Sequence, residues 1–320
     1  MKLSVIIPNY NKANFIEETI SSLAKNHIAG VEWIAVDDNS TDGSWELLEN
    51  LIKEHKQLKL YRNPGKGGSS ARNFGLSKAN GEFVIFLDSD DLLAENCIEN
   101  RLALTQTFPN YDAWVMTMAV FENQPGDRDL SMSWVPKKNE DELLKCFLKH
   151  DLQWTTVAPI WRKSFIEKVG GFDESFPRLQ DVEFHTKCLL AGARVRTFPE
   201  KAADCYYRIS ANRHSFKGDE FHKNYIAGAI MYYRKFEILV PHELKQFLAG
   251  TLLETLSAIS HQHRIGSLSK SSYIELSRKL IETCSIKSQT RWLGFYAWIQ
   301  SKFPFHIKGL KKATQLLLGL

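Results

Sequence analysis

Short runs of β-branched and aromatic residues alternate with helix-period segments over the first part of the chain. This alternation predicts βαβ units around a mainly parallel sheet. The predicted strands are residues 3–8, 33–38, 58–62 and 83–88. The predicted helices are residues 15–25, 43–54, 71–78 and 95–107, with Asn14 and either Ser40 or Thr41 as N-caps.

The pattern changes further along the chain. Residues 108–138 are irregular and predict strands and loops over a cleft. After them we predict helices over 142–149 and from Gln180 to about Gly192, and closing strands over 194–197 and 205–209. Beyond His214 the strand signal disappears and long helical segments follow. We therefore predict an α/β domain over residues 1–215 and a helical region over 216–320.

Composition narrows the class of protein. A hydrophobic content of 43% with 24% charged residues is typical of a folded chain, and a net charge of +4 is too small to indicate nucleic-acid binding. The five cysteines are scattered without a C-x-x-C pair, which favours free thiols in a reducing compartment. The N-terminus enters a predicted strand directly, and no apolar run is long enough to span a bilayer. We expect a cytoplasmic protein.

The predicted fourth strand ends in three carboxylates within four residues, Asp88, Asp90 and Asp91. Crowded carboxylates repel one another, so a divalent cation would stabilise the arrangement. Hard oxygen ligands suit Mg²⁺ or Mn²⁺, which commonly bridge to substrate phosphates. An ordinary acidic turn that closes a strand is the alternative.

Polar residues also follow the other predicted strands, and the carboxyl ends of parallel strands form one edge where ligands bind. Tyr10 offers a flat face for a nucleotide base, or packs locally. Asp38 can accept hydrogen bonds from a base or ribose, or cap the following helix. The glycine-rich segment 65–70 does not have the spacing of a phosphate loop. As a flexible turn it would bring Arg72 near the acidic edge, to pair with Asp38 or a phosphate.

Later residues add weaker candidates. Asp181 opens a predicted helix, whose N-terminus favours an ionised carboxylate able to accept a proton, with Glu183 as the fallback. The basic, aromatic C-terminal region either packs helices or contacts an anionic membrane surface.

Five segments occur in an order that is more specific than any one of them: residues 4–11, 36–43, 71–75, 81–91 and 170–174. Together they resemble the family 2 glycosyltransferases of the GT-A fold, and the resemblance spans about residues 3–210. It implies an α/β, Rossmann-like catalytic domain with a mainly parallel sheet, followed by a helical C-terminal extension.

The resemblance also implies roles for individual residues. Those expected to bind the nucleotide-sugar donor are Pro8, Tyr10, Asp38, Arg72, Asp88, Ser89 and Asp90. Asp90 would be the direct ligand of the metal on the diphosphate, and Asp88 would face the ribose or the metal. Asp181 would be the general base. Trp154 and Glu183 would contact the acceptor sugar, with a core tryptophan as the alternative for Trp154. His214, as a late histidine, would complete the metal shell, with an ordinary surface histidine as the alternative. Gln180 stands where the family usually has Glu, and Asn39 where Gly is common.

The predicted function is a metal-dependent, inverting transfer from a nucleotide-diphosphate sugar, with a UDP-sugar favoured. The acceptor would be a saccharide or a lipid-linked saccharide in cell-surface polysaccharide or lipopolysaccharide assembly, with peripheral contact to the inner face of the membrane. Two alternatives stay open: a catalytically silent nucleotide-sugar binding protein, which Gln180 suggests, and a nucleotidyltransferase.

Overall fold

The computed structural model describes residues 2–26, 28–128, 135–137, 142–209, 219–303 and 307–320. The chain divides into two compact units. The first unit comprises Met1–Leu143, Gln153–Glu174 and Lys187–Ala211. The second comprises Leu144–Leu152, Ser175–Thr186 and Asn212–Leu320.

Residues 144–152 and 175–186 thus group with the C-terminal helices, whereas the sequence analysis assigned them to the α/β domain over residues 1–215. Their contacts explain the grouping. The carbonyl of Leu148 accepts a hydrogen bond from Thr251 Oγ1 at 3.2 Å, and Thr186 Oγ1 lies 2.8 Å from the hydroxyl of Tyr232. The helical unit is therefore assembled from three segments of the chain.

Within the described residues, the first unit contains a seven-stranded sheet and a three-stranded sheet. The strands of the large sheet, in spatial order, are β3 (Leu58–Arg62), β2 (Val31–Asp37), β1 (Leu3–Asn9), β4 (Phe83–Phe86), β8 (Pro159–Arg162), β6 (Ala113–Met116) and β9 (Val195–Phe198). The small sheet contains β5 (Leu92–Leu93), β10 (Cys205–Arg208) and β7 (Met118–Phe121).

Strand β1 is the centre of the parallel half of the large sheet. It pairs in parallel with β2 on one side and β4 on the other. The chain moves outward from β1 through β2 to β3, then returns across β1 to β4, so the strand order reverses there. Ligands of open α/β sheets bind beyond the carboxyl ends of the strands at such a reversal. Residues 88–91, called the acidic segment below, begin just after the end of β4 and therefore lie at that place.

Helices connect the strands of the first unit and form most of the second. Those of the first unit are α1 (Ile16–Ala24), α2 (Ser44–Glu54), α3 (Gly68–Lys78), α4 (Cys97–Thr107) and α6 (Lys163–Lys168). The second unit contains α5 (Leu143–Leu148), α8 (Asp219–Leu239), a 3₁₀ helix (His242–Leu248), α9 (Ala249–Arg264), α10 (Lys270–Thr283), α11 (Lys287–Lys302) and α12 (Leu310–Leu318). The boundary between the units falls inside α7 (Gln180–Leu190). None of the described helices is both long and apolar enough to cross a bilayer.

The predicted helix caps are wrong. Phe15 precedes α1 and Gly43, with φ of 92°, precedes α2, and neither residue caps its helix through a side chain. Ser40 instead donates its hydroxyl to Asp37. The polar residues of this loop are used to hold strand ends together, and a glycine enters the left-handed conformation that begins the helix.

Gly75 allows α3 to approach β1 closely. A Cβ built at this glycine would lie 2.4 Å from Cγ2 of Ile6, a fully buried and β-branched side chain that cannot easily move. Gly294, in the middle of α11, has no atom within 4 Å of its built Cβ. Packing against β1 therefore requires a glycine at position 75, whereas no neighbouring atom requires one at position 294.

We expect Gly75→Ala to destabilise the protein by about 1–3 kcal/mol, because overpacking outweighs the gain in helix propensity. Gly294→Ala, the matched control, should stabilise it by about 0.5–1 kcal/mol. Urea unfolding of both variants, followed by circular dichroism, measures the difference. Equal shifts in the two variants would contradict the close approach of α3 to β1.

Candidate functional site

Asp37 ends β2 and joins the ends of three neighbouring strands. Its side chain is fully buried. One carboxylate oxygen accepts hydrogen bonds from Asn9 Nδ2 at 2.8 Å and from Ser40 Oγ at 2.6 Å, and the other lies 3.4 Å from Arg62. Because these groups engage both oxygens in the interior, Asp37 supports the edge of the sheet and does not face a ligand.

The loop after β1 and the loop after β2 are joined by hydrogen bonds from the backbone of each loop to side chains of the other. Asn11, with φ of 50°, accepts from the backbone of Thr41 at 2.8 Å. Asp42 accepts from the backbone of Ala13 at 2.9 Å and from Ser44. Burial pushes the pKa of Asp42 upward, but the hydrogen bonds from Ser44 and Ala13 outweigh it and hold the pKa below its usual value. The two loops therefore behave as one rigid piece.

Asp38 is half-buried and receives the glycine-rich loop. Its oxygens accept from Asn63 Nδ2 at 2.7 Å and from the backbone of Gly67 at 2.8 Å. Asn63 in turn accepts from the hydroxyl of Ser70 at 3.2 Å. Each carboxylate oxygen keeps a second lone pair, so Asp38 can still accept a hydrogen bond from a ligand.

Tyr10 follows β1 and is 57% exposed, so its ring presents a face to solvent. Pro8 precedes it within β1 and is half-buried. An exposed aromatic ring at the carboxyl edge of the sheet is suited to stacking on a flat heterocycle. The role of both residues at a nucleotide base stays a prediction.

Arg72 pairs with Asp88 and not with Asp38. Its NH2 atom lies 2.5 Å from Asp88 Oδ1. The guanidinium also lies 5.3 Å from the centroid of the Phe172 ring, which packs edge-on against Phe86 with centroids 5.0 Å apart. Only 8% of Arg72 is exposed. The residue is therefore a fixed positive charge beside the first carboxylate of the acidic segment.

Asn73 joins two motifs that are far apart in the chain. Its side-chain nitrogen donates to the carbonyl of Phe172 at 2.9 Å, and its side-chain oxygen accepts from the backbone of Phe172 at 2.8 Å. Gly171, with φ of 62°, packs against this amide, since a Cβ there would lie 2.5 Å from Asn73 Oδ1. The segments around Arg72 and Gly171 thus form one structural element behind Asp88.

The three carboxylates of the acidic segment do not act alike. Asp90 Oδ2 lies 2.5 Å from the Lys12 ammonium, and both side chains are partly exposed. Asp91 is buried and accepts from the backbone of Arg208 at 2.9 Å, while Arg208 Nε donates to the carbonyl of Asp90 at 2.8 Å. Asp91 therefore anchors the loop, and the interpretation of all three carboxylates as one cation cluster is corrected to two. Ser89, between the two exposed carboxylates, is itself buried.

The remaining pair, Asp88 and Asp90, offers the kind of ligand atom that Mg²⁺ or Mn²⁺ prefers. Their side chains are 30% and 24% exposed and offer hard oxygen atoms. Within the part of the chain that the structure describes, no group of three or more His, Cys, Asp or Glu side chains could hold a metal. Mg²⁺ and Mn²⁺ commonly bind through one or two carboxylates together with substrate phosphates, and such an ion at this pair stays a prediction.

Asp181 and Glu183, in the second unit, lie in different environments at the start of α7. Asp181 is half-exposed in the first turn. Glu183 is fully buried, with Oε1 2.8 Å from the ammonium of Lys235. A buried, paired carboxylate cannot receive an acceptor hydroxyl, so the assignment of Glu183 to the acceptor is corrected to a structural ion pair.

Trp154, in the first unit, is 1% exposed. Its ring therefore has no free face for a sugar, and the alternative of a core tryptophan replaces the acceptor assignment. His214 lies outside the described residues. The two groups that sequence reasoning missed are Lys12 and Arg208. Lys12 follows Tyr10 by two residues in the same strand-end loop, which was a signal, whereas Arg208 gave none.

The chain matches known proteins both in sequence and in fold. A family model described as glycosyl transferase family 2 matches residues 4–167, which include β1, β2, β4 and the acidic segment. The chain belongs to this family. The family 2 match contains the residues at the ends of β1, β2 and β4, and it ends before Gly171, Phe172 and Arg208 and before α7 begins.

Curated relatives of this family 2 chain come from several bacteria. An uncharacterized glycosyltransferase of Nostoc is 30% identical over 67% of this chain and 67% of its own length. One from Haemophilus influenzae is 40% identical over 31% of this chain. A Campylobacter jejuni protein named GalNAc(5)-diNAcBac-PP-undecaprenol beta-1,3-glucosyltransferase is 37% identical over 32% of this chain and 33% of its own length. The matches span only 40% and 33% of the lengths of the Haemophilus relative and of glycosyltransferase GlyG from Streptococcus pneumoniae, which is 36% identical over 30% of this chain.

Solved structures match nearly the whole family 2 chain. S. aureus TarS in complex with UDP-GlcNAc has a TM-score of 0.69 at 21% identity, over 99% of this chain and 92% of that one. The mannosyltransferase PcManGT from Pyrobaculum calidifontis, in complex with GDP-Man and Mn²⁺, has a TM-score of 0.57 at 18% identity, over 99% of this chain and 84% of that one. At these identities the likeness shows the GT-A fold.

Proposed function

We propose that this protein is an inverting glycosyltransferase that moves a sugar from a nucleotide-diphosphate donor to a saccharide or lipid-linked acceptor. The observation that carries the proposal is the pair of partly exposed carboxylates, Asp88 and Asp90, at the end of β4, where the strand order reverses. Membership of glycosyl transferase family 2 supports it. Glycosyl transfer from a nucleotide sugar leaves a diphosphate, and this acidic segment suits a cation that neutralises such a group.

The donor would bind along the edge of the sheet formed by β1, β2 and β4. Tyr10 would stack on the base with Pro8 beside it, and Asp38 would accept a hydrogen bond from the base. A UDP-sugar is the first choice, because TarS was solved with UDP-GlcNAc, and the GDP-Man complex of PcManGT makes a GDP-sugar the second. Asp88 and Asp90 would hold Mg²⁺ or Mn²⁺, which supplies charge neutralisation for the leaving diphosphate.

The acceptor hydroxyl would lose its proton to Asp181 as it attacks the anomeric carbon. This carboxylate is the better base of the two at the start of α7, because Glu183 is engaged by Lys235. A single displacement from the face opposite the leaving group inverts the anomeric centre, through an oxocarbenium-like transition state. The family resemblance supports the role of Asp181, although Gln180 replaces the usual glutamate beside it.

Product analysis tests the proposal. The full chain is incubated with UDP- and GDP-sugars, Mg²⁺ or Mn²⁺ and a panel of saccharide and polyprenyl-diphosphate acceptors. A transferred sugar with a released nucleoside diphosphate is expected. Released pyrophosphate would identify a nucleotidyltransferase, and donor binding without any product would identify a silent binding protein.

A lipid-linked acceptor would bring the protein to a membrane surface, and α11 has a face suited to it. Phe295 and Trp298 are 45% and 56% exposed on this helix, with ring centroids 6.3 Å apart. Exposed basic residues, Arg291 and Lys302, flank them, and no acidic residue follows Glu282 in the sequence. Exposed aromatic rings between basic side chains fit the headgroup region of an anionic bilayer. The name of the Campylobacter relative, which includes a PP-undecaprenol acceptor, supports this acceptor class.

We expect the double variant Phe295→Ser, Trp298→Ser to bind vesicles rich in phosphatidylglycerol at least about tenfold more weakly, because it loses buried apolar area. Ile274→Ser removes a similarly exposed apolar residue from α10 and is the matched control. Vesicle co-sedimentation at low and high salt measures the effect. Equal binding by both variants, or binding that salt does not change, would contradict the contact.

A further inference from the structure

The two carboxylates of the acidic segment are each paired with a cation, but the two cations are held differently. Arg72 is buried, and its guanidinium packs against the ring of Phe172 as well as against Asp88. Lys12 has a side chain that is 34% exposed, and its ammonium lies 5.6 Å from the centroid of the Phe15 ring. The positive charge at Asp88 is therefore fixed, whereas the one at Asp90 is on a flexible and accessible side chain.

The partners of this ion pair differ in their freedom to move. The backbone of Asp90 is fixed through its carbonyl, which accepts from Arg208. The backbone of Lys12 is also fixed, because its N–H donates to Ser44 Oγ at 2.9 Å. Separation of the pair therefore requires only rotation of the lysine side chain, and no rearrangement of either loop.

A divalent cation and the Lys12 ammonium cannot occupy the same place at Asp90 Oδ2. Two cations on one carboxylate oxygen repel each other strongly at contact distance. The fixed charge of Arg72 opposes full use of Asp88 as an alternative ligand for the same reason. A metal that approaches without any other anion therefore meets a site whose negative charge is already balanced.

We propose that Lys12 is the resident counter-ion of Asp90, which a divalent cation must displace and which then contacts the diphosphate of the donor. This inference rests on the proposed function and concerns the same site. An ammonium is a suitable point charge for phosphate oxygens. When a metal displaces Lys12, the lysine loses its contact with Asp90. It gains a new anionic partner, the diphosphate, only when a nucleotide is present. Metal and nucleotide should therefore each increase the affinity of the protein for the other.

The test measures Mn²⁺ binding by electron paramagnetic resonance, without any sugar transfer. Lys12→Met removes the charge and keeps the length of the side chain, Lys12→Arg keeps the charge, and Lys279→Met removes a lysine from a surface ion pair in α10 as the matched control. Without nucleotide, Lys12→Met should bind Mn²⁺ about fivefold or more tightly than the wild type, because the competing cation is gone. With UDP or GDP present, the same variant should bind the Mn²⁺–nucleotide pair at least about threefold more weakly. The other two variants should stay close to the wild type.

The opposite signs of the two effects distinguish a counter-ion from a residue that only supports the fold, which would weaken both. Unchanged or weaker Mn²⁺ binding by Lys12→Met without nucleotide would overturn the inference, and so would an unchanged affinity for the Mn²⁺–nucleotide pair. If Lys12→Met did not fold, Lys12→Gln would serve in the same comparison. Failure of the proposed function would be seen separately, as a wild type that binds Mn²⁺ in this way but forms no sugar product.

Discussion

Replacing Asp90 with alanine should reduce metal-dependent sugar transfer by about 10³-fold, which corresponds to the loss of several kcal/mol of charge stabilisation on the leaving diphosphate. The reason is that Asp90 is paired with the partly exposed Lys12, whereas Asp88 is paired with the buried Arg72. Initial rates of nucleoside diphosphate release, measured over a range of Mn²⁺ concentrations, give the size of the effect. The fold should survive, because Asp90 is partly exposed and its backbone, not its side chain, is bound by Arg208.

The control for this variant is Glu95→Ala. It removes an exposed carboxylate five residues further along the chain, and we expect its rates to match the wild type. Metal-dependent transfer that persists in Asp90→Ala would refute the role of Asp90 as the metal ligand. Loss of transfer in both variants would point to a general effect of net charge.

Asp181→Asn should lower the rate of sugar transfer by about 10²- to 10⁴-fold, the usual contribution of a positioned general base. The amide keeps the shape of the side chain but cannot accept the proton of the acceptor hydroxyl. Donor binding should stay near the wild-type value, because the residues proposed to bind the donor lie in the first unit and are not changed. Single-turnover rates measure the transfer step, and isothermal titration with the nucleoside diphosphate measures donor binding.

Glu183→Gln is the informative comparison for this variant. Its carboxylate is buried against Lys235, so the substitution should lower the stability of the helical unit by about 1–3 kcal/mol. We expect the transfer rate per folded molecule to stay high. If Glu183→Gln lost the reaction and Asp181→Asn retained it, the base would be Glu183 and the proposed assignment would be reversed.

The parallel half of the sheet could be predicted from the sequence because its strands are short, close together in the chain and rich in β-branched and aromatic residues, and three of the four are almost fully buried. The run at residues 58–62 coincides with β3, and the runs around residues 3–8 and 33–38 differ from β1 and β2 by a residue or two. The position of β8 between β4 and β6 could not be predicted, since it depends on antiparallel pairing between segments far apart in the chain. The grouping of Ser175–Thr186 with the helical unit could not be predicted either, since it also depends on contacts between segments far apart in the chain.

The part of the candidate site that follows strand ends could be predicted from the sequence, because ligands of open α/β sheets bind beyond the carboxyl ends of the strands. That rule places Asp38, Asp88 and Asp90 at one edge, but it does not say which cation meets which carboxylate. Lys12, which reaches Asp90, directly follows Asn11, a residue in the left-handed conformation. Such a conformation is set by contacts between two loops, and a single sequence contains no periodic signal for it.

The backbone of the acidic segment depends on Arg208, which lies outside the residues that the family model matches. The match ends at residue 167, yet the backbone that carries Asp90 is held by a guanidinium from β10, which also pairs with Glu18 in α1. A truncated protein that ended near residue 167 would retain Asp88 and Asp90 and lose the arginine that holds their loop. Engineering a minimal version, or grafting its specificity into a relative, therefore requires β10 to be transferred together with the matched residues.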